Sequence, residues 1–179
     1  MKLYLTEELN ASLSKHKKVF ISCICVLIMV SIIGSVFAIS SMFRLRVTSG
    51  SMIPTIQVNE QLLVKKVKSS SDISTGDIIV FIKDNELLVK RLIGLPGDIV
   101  EIRGGLVFVN GEQLIEGYVQ SIDDTDCTFY LSEDQYFVLG DNRSNSYDSR
   151  YWDNPYVHFS DIKGKIIAHL YPKLRVGVN

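Results

Sequence analysis

The feature that most restricts the fold of this chain is an uncharged stretch of 25 residues, 19–43, which contains no Asp, Glu, Lys or Arg. A helix of that length would extend roughly 37 Å, enough to cross a hydrocarbon core of about 30 Å with some tilt. A cleavable leader is the alternative, because Val36-Phe37-Ala38 resembles a small-residue processing site. The apolar core of a leader runs to only about 7–15 residues, however, so the length favours an uncleaved transmembrane anchor over 19–43.

The charges that flank this stretch indicate its orientation. Lys15, Lys17 and Lys18 stand directly before it, whereas Arg44 and Arg46 follow it. Because basic residues are retained on the cytoplasmic side of a membrane, the larger basic cluster places residues 1–18 in the cytosol. We therefore expect a single-pass protein of the cell membrane with residues 44–179 outside the cytoplasm.

The composition of the exported part excludes several classes of function. Residues 40–179 contain 15 lysines and arginines against 18 acidic residues, so there is no basic excess of the kind that nucleic-acid binding requires. Cys127 is the only cysteine there, which leaves no intramolecular disulfide, and stability must come from a hydrophobic core. No pattern indicates a metal or a cofactor, and we expect neither.

Short apolar segments rich in Val and Ile follow the anchor, and Gly, Asp, Asn and Ser separate them, which is typical of β-strands. Glycines after Arg103 and Asn110 indicate two tight turns, because glycine accepts the positive φ that such hairpins need. The sequence predicts one mostly antiparallel β-domain over 44–179, with strands at 61–67, 77–83, 87–94, 98–103, 106–109, 128–131, 135–139 and 163–170.

Three hydroxyl-bearing side chains, Thr48, Ser49 and Ser51, lie just beyond the anchor. A serine becomes a nucleophile only when a base accepts its proton. His158 and His169 are the histidines of the exported part, and neither has an acidic partner in a recognisable motif. A Ser-His-Asp triad therefore has little support, although spacing does not exclude it, because triads are assembled in space.

Lysine is the other candidate base, and Lys90 lies in the apolar run "LLVKRLIG". Alternation along a strand places Leu88, Lys90 and Leu92 on one face. Burial there would disfavour the ammonium form and depress the lysine pKa. On composition alone, a lysine whose stem packs while its amine reaches water is the simpler interpretation.

A polar segment at residues 140–150, "GDNRSNSYDSR", supplies further context. It follows the apolar run "QYFVL" and carries acids, arginines and serines close together. Asp148 and Arg150 can form an ion pair, and Ser146 can hydrogen-bond to a nearby amine.

Taken together, these stretches resemble the type I signal peptidases, of the prokaryotic Ser/Lys kind. The resemblance covers most of residues 44–170 and occurs in the family's order behind a membrane anchor. The matching segments are "SGSMIPT" (49–55), "GDIIVF" (76–81), "VKRLIGLPGD" (89–98) and "GDNRSNSYDSR" (140–150).

This resemblance implies a compact, barrel-like antiparallel β-domain with Ser51 as nucleophile and Lys90 as general base. It further implies an oxyanion hole formed by the Ser51 backbone N–H and the Ser49 hydroxyl. In the polar segment it implies that Ser146 orients the lysine amine, and that Asp148 and Arg150 brace the site as an ion pair.

Substrates of such an enzyme are the signal peptides of exported preproteins, which enter in extended form. We expect them to add as a strand along Gly50–Ile53 and the Lys90 strand. Met52 and Ile53 are candidate walls or membrane-contacting groups, with core packing an equal alternative.

Two other functions remain open at this stage. A catalytically silent relative could serve as a binding or assembly module, for example in pilus formation, but it would be expected to lack the serine or the lysine. A Ser/Lys self-cleaving repressor would require a helical DNA-binding domain, and this N-terminus predicts a membrane anchor instead.

Overall fold

The computed structural model describes residues 17, 20, 22, 24–32, 41–122, 124–172 and 174–177. The predicted cytoplasmic segment 1–18 and much of the predicted anchor 19–43 lie outside the described residues. Residues 24–32 are helical, and in the described part of the chain no helix has the length and apolar character needed to cross a membrane. The last two residues of the predicted anchor, Met42 and Phe43, belong to the first β-strand.

Contacts divide the chain into Met1–Ser41 and Met42–Asn179, and the second unit is almost entirely β. Short 3-10 helices at Ser70–Asp72, Arg143–Asn145 and Phe159–Asp161 interrupt the strands. Within the described residues the strands are β1 (Met42–Arg46), β2 (Gln61–Lys65), β3 (Ile78–Lys83), β4 (Glu86–Gly94), β5 (Ile99–Arg103), β6 (Leu106–Val109), β7 (Glu112–Gln113), β8 (Cys127–Tyr130), β9 (Phe137–Leu139), β10 (Ile162–Tyr171) and β11 (Arg175–Val176).

The strands form two antiparallel sheets. In the described part of the chain, the larger sheet has the order β1-β2-β10-β3-β4-β9, with β11 paired to β10, and the smaller has the order β7-β6-β5-β8. The predicted turns join strands of the smaller sheet, with positive φ at Gly104, Gly105, Asn110 and Gly111. The mostly antiparallel β prediction is therefore confirmed.

Strand β4 lies where three groups of buried side chains meet. Leu92 packs with Phe81 and Trp152 in one group, whereas Val89 packs against a second group that contains Met52. Ile93 belongs to a third group, which covers the smaller sheet. Because both faces of β4 are covered near its C-terminal end, polar side chains on that part of the strand are removed from water.

All eight predicted strands are present, and their ends differ from the prediction by two residues or fewer. The sequence did not predict β1, β7 or β11. Strands β7 and β11 have only two residues each, too few for alternation to be recognised. Strand β1 overlaps the end of the apolar stretch, so its pattern merges with that of the predicted anchor.

Candidate active site

The serine loop, residues 47–60, connects β1 to β2 and is closed at its neck by two backbone hydrogen bonds. The N–H of Val47 donates to the carbonyl of Glu60, and the N–H of Asn59 donates to that of Val47, both at 2.9 Å. Inside the loop, Met52 and Ile56 are almost completely buried in the core. The loop is therefore fixed both by the hydrogen bonds at its neck and by the packing of Met52 and Ile56 into the core.

Ser51 lies in this loop with only 8% of its surface exposed. Its Oγ is 3.5 Å from the Oγ of Ser49, which is itself exposed. The loop thus brings together the two hydroxyls for which the family resemblance implies the roles of nucleophile and oxyanion-hole donor.

Lys90 lies in β4 opposite Ile79 of β3, and its side chain is 4% exposed. Burial lowers the pKa of Lys90 from 10.5 to about 8; Asp148 acts against this shift and Arg150 adds to it. The amine is therefore far easier to deprotonate near neutral pH than an ordinary lysine, as predicted for a buried base.

Ser51 and Lys90 line the same cavity, which has a volume of about 350 Å³. Its walls combine the serine loop, the β3–β4 hairpin and the segment after β9. The lining residues are Ser49, Gly50, Ser51, Lys83, Asp84, Glu86, Leu88, Lys90, Asn145, Tyr147 and Trp152. This arrangement joins three regions that are distant in sequence.

The polar loop, residues 140–150, contains the predicted ion pair. The Asp148 carboxylate accepts hydrogen bonds from Arg150 Nε at 2.8 Å and Nη2 at 2.9 Å. It also accepts one from the backbone N–H of Gly140 at 2.9 Å. The Asp148 side chain is fully buried. Both charges therefore stabilise the conformation of the loop beside Lys90.

Ser146 is 7% exposed, and its hydroxyl makes no hydrogen bond within the described part of the chain. It packs tightly against Gly140: a methyl group there would lie 2.1 Å from Ser146 Oγ and 2.6 Å from the Ser51 carbonyl oxygen. Gly140 thus allows Ser146 and Ser51 to approach each other closely.

Asp141 and Asn142 tie the polar loop to the serine loop. The N–H of Asn142 donates to the Ser51 carbonyl at 3.0 Å, and its side-chain amide donates to the Gly50 carbonyl, also at 3.0 Å. The Thr55 hydroxyl donates to Asp141. None of these hydrogen bonds was predicted, because no local sequence pattern indicates a contact between segments 86 residues apart.

Two buried arginines, Arg91 and Arg143, complete the network. Asp141 forms a bidentate pair with Arg91, at 2.8 and 2.7 Å, and Glu116 pairs with the buried Arg143. Burial and the nearby Glu116 raise the pKa of Tyr118, whose hydroxyl donates to Glu116 at 2.7 Å. The pairing of Arg91 with Asp141 was not predicted from the sequence. The available clue was that Arg91 directly follows the candidate base Lys90.

The remaining predicted residues have simple placements. Gly50 lines the cavity, whereas Met52 is 1% exposed in the core and Ile53 is half-buried within the serine loop. His169 pairs with buried Glu60, at 2.6 Å between Nδ1 and Oε2, and His158 lies beside Asp134. Neither histidine lines the cavity that holds Ser51.

Comparison with known proteins identifies the family of this chain. The model of the family described as "Signal peptidase, peptidase S26" matches residues 17–171. The chain belongs to this signal peptidase family. Membership makes it a hydrolase of the serine peptidase class.

Individual relatives carry the same description. A signal peptidase I of Leptolyngbya laminosa is 41% identical over 143 residues, covering 73% of this chain and 70% of the relative. A probable signal peptidase I-2 of Synechocystis is 38% identical over 142 residues, covering 74% of this chain and 64% of the relative. Among solved structures, a signal peptidase I from Enterococcus faecalis V583 is 34% identical with a TM-score of 0.47, covering 55% of this chain and 97% of that one.

Proposed function

We propose that this signal peptidase cleaves N-terminal signal peptides from exported preproteins through an acyl-enzyme formed on Ser51, with Lys90 as general base. One observation carries the proposal: a lysine that is 4% exposed, with its pKa lowered to about 8, shares a cavity of about 350 Å³ with a buried serine. Burial of a lysine amine does not stabilise the fold, because removing the charged amine from water costs free energy. The burial of Lys90 therefore supports a catalytic role.

The reaction begins when neutral Lys90 accepts the Ser51 proton as Oγ attacks the scissile carbonyl carbon. The carbonyl oxygen becomes negative and is stabilised by the Ser51 N–H and the Ser49 hydroxyl. The Lys90 ammonium then gives its proton to the leaving amine, and the carbon–nitrogen bond breaks. Lys90 then accepts a proton from a water molecule as the water attacks the acyl carbon, and it returns that proton to Ser51 Oγ as the bond to Oγ breaks and the acyl group leaves as a carboxylic acid.

Three residues of the polar loop support these steps. Asp148 and Arg150 place opposite charges beside Lys90, and their effects on its pKa oppose each other. The buried hydroxyl of Ser146 has no hydrogen-bond partner among the described residues and is therefore available to the Lys90 amine. We assign Ser146 the role of orienting that amine toward Ser51.

The substrate adds as a strand to the free edge of β4. Among the described residues, β4 pairs with β3 on one side from Glu86 to Arg91, and on the other side β9 pairs with Arg91, Leu92 and Gly94. The backbone of residues 87–90 therefore keeps an open edge beside the cavity, as β-strand addition requires. Gly50 lines the same cavity as Leu88 and Lys90 of this strand.

We place the enzyme in the cell membrane as a single-pass protein, with 19–43 as anchor, 1–18 in the cytoplasm and the catalytic β-domain outside. The uncharged stretch and its basic N-terminal flank support this topology. The anchor and the apolar part of a signal peptide then share one bilayer, which raises their effective concentration.

Cleavage of a model preprotein by the full-length chain in detergent tests the proposal. Ser51→Ala and Lys90→Ala should each abolish cleavage, whereas His158→Ala and His169→Ala should retain the chemistry. Loss of activity in a histidine variant together with an active Lys90→Ala variant would overturn the Ser/Lys assignment. A wild-type chain without activity would instead favour the silent assembly module, against which the presence of Ser51 and Lys90 argues.

A further inference from the structure

The peptide bond between Gly50 and Ser51 is the element of the site whose orientation matters most for charge stabilisation. In the proposed function, the N–H of this peptide is one of the donors to the developing oxyanion. A trans peptide group is planar, so its C=O and N–H point in opposite directions. Whatever holds the Gly50 carbonyl therefore also sets the direction of the Ser51 N–H.

Asn142 holds that carbonyl. Its Nδ2 donates to the Gly50 oxygen at 3.0 Å, while its backbone N–H donates to the Ser51 oxygen, also at 3.0 Å. Within the serine loop the Gly50 oxygen also accepts the N–H of Ile53, at a longer 3.2 Å. Two consecutive carbonyls of the loop are thus bound by a single residue of the polar loop.

Through the Gly50 carbonyl, Asn142 sets the direction of the Ser51 N–H. Gly50 and Ser51 line the cavity, whereas Asn142 is not among its described lining residues. The Gly50 carbonyl points toward Asn142. The Ser51 N–H, on the other side of the same plane, therefore points away from Asn142, and the proposed mechanism requires it to face the scissile carbonyl.

A residue with this role is needed because the peptide follows a glycine. Glycine reaches backbone conformations closed to other residues, so the Gly50–Ser51 plane can rotate more easily than most. A rotated plane would direct the carbonyl oxygen at the substrate oxyanion, where it would repel it. Without the Asn142 side chain, the longer hydrogen bond from Ile53 is what holds the Gly50 carbonyl among the described residues.

We propose that Asn142 is a positioning residue for the oxyanion hole, acting through the Gly50 carbonyl to direct the Ser51 N–H. This inference rests on the proposed function, because it requires Ser51 to be the acylated serine. Asn142 itself touches neither substrate nor the reacting atoms in this role.

The test compares Asn142→Ala with wild type in preprotein cleavage by the full chain. Loss of an oxyanion-hole donor lowers kcat by about 10²–10³-fold, and a misdirected donor should lower it by about 10- to 100-fold. KM should change little, because the interaction strengthens only in the transition state. Ser144→Ala, an exposed position in the same loop, is the matched control and should retain the wild-type kcat.

Inhibition provides a measurement that a merely structural role would not affect. A substrate-derived peptide aldehyde forms a tetrahedral adduct with an active-site serine, whereas the corresponding peptide amide binds without one. Asn142→Ala should weaken the aldehyde by about the same factor as kcat while leaving the amide nearly unchanged. A kcat within twofold of wild type, or equal weakening of both inhibitors, would overturn the inference.

Ser51→Ala separates this inference from the function on which it rests. If Ser51→Ala still cleaves, the proposed mechanism is wrong. If Ser51→Ala is inactive and Asn142→Ala has normal kcat, only the role of Asn142 is wrong. Thermal unfolding of each variant shows whether a lost activity reflects a lost fold.

Discussion

At the scale of single residues, the site depends on where β4 places a lysine. Alternation places Lys90 and Leu92 on one face of the strand, and Leu92 is fully buried there. Asp148 raises the pKa of Lys90 and Arg150 lowers it, so burial dominates the shift. A lysine at an exposed strand edge would have remained a cation at neutral pH.

The protonation of Lys90 predicts how activity depends on pH. Below a pKa of about 8 the amine is a cation and cannot accept the Ser51 proton, so kcat/KM should rise about tenfold per pH unit. Above that pKa the amine is neutral and kcat/KM should reach a plateau. Initial rates at low substrate concentration between pH 6 and 10 measure this profile.

The control for this profile comes from the histidines, since an unperturbed imidazole titrates near 6.5. His158→Ala and His169→Ala should leave the midpoint where it is. A midpoint close to 6.5 that disappears in either variant would show that a histidine, not Lys90, supplies the essential base.

At the scale of elements, the sequence reveals more about each part of the site than about how the parts meet. Alternation predicted β4 and the face of Lys90, because that signal is local. The hydrogen bonds from Asn142 to Gly50 and Ser51, and from Thr55 to Asp141, join segments that no local pattern relates. The ion pair of Asp148 and Arg150 was predictable because the two residues are separated by only one position.

The close approach of the polar loop to the serine loop can be tested at Gly140. In Gly140→Ala the new methyl would lie 2.1 Å from Ser146 Oγ and 2.6 Å from the Ser51 carbonyl oxygen, so the loops must move apart. Displacement of a reacting group by about 1 Å can cost roughly a hundredfold in rate, and we expect a fall in kcat of that order. Steady-state cleavage kinetics provide the measurement.

Gly117→Ala is the matched control, because a methyl group at Gly117 has no atom within 4 Å. It should retain wild-type kinetics and a wild-type unfolding temperature. Equal effects in the two variants would mean that the loss at Gly140 reflects glycine itself and not the contact with Ser146 and Ser51.

At the scale of the whole β-domain, a buried ion pair connects segments from the two sheets. Glu116 lies in the segment that leads from β7 to β8 of the smaller sheet, and Arg143 follows β9 of the larger sheet. Arg143 Nε also donates to the Gly140 carbonyl at 3.0 Å. Because Arg143 is 3% exposed, its charge has little access to water if Glu116 is lost.

Glu116→Gln should therefore destabilise the fold as a whole. Breaking a buried pair by neutralising one partner costs about 3–5 kcal/mol, and we expect the lower end of this range because glutamine retains a hydrogen-bond acceptor. Glu101→Gln is the control: its pair with Arg103 is largely exposed, so its loss should cost less than about 1 kcal/mol. Urea unfolding, followed through the fluorescence of the single tryptophan, Trp152, and through circular dichroism, measures both variants. Equal midpoints for the two variants would show that the Glu116 pair contributes no more than a surface pair, and that packing alone holds the polar loop against the smaller sheet.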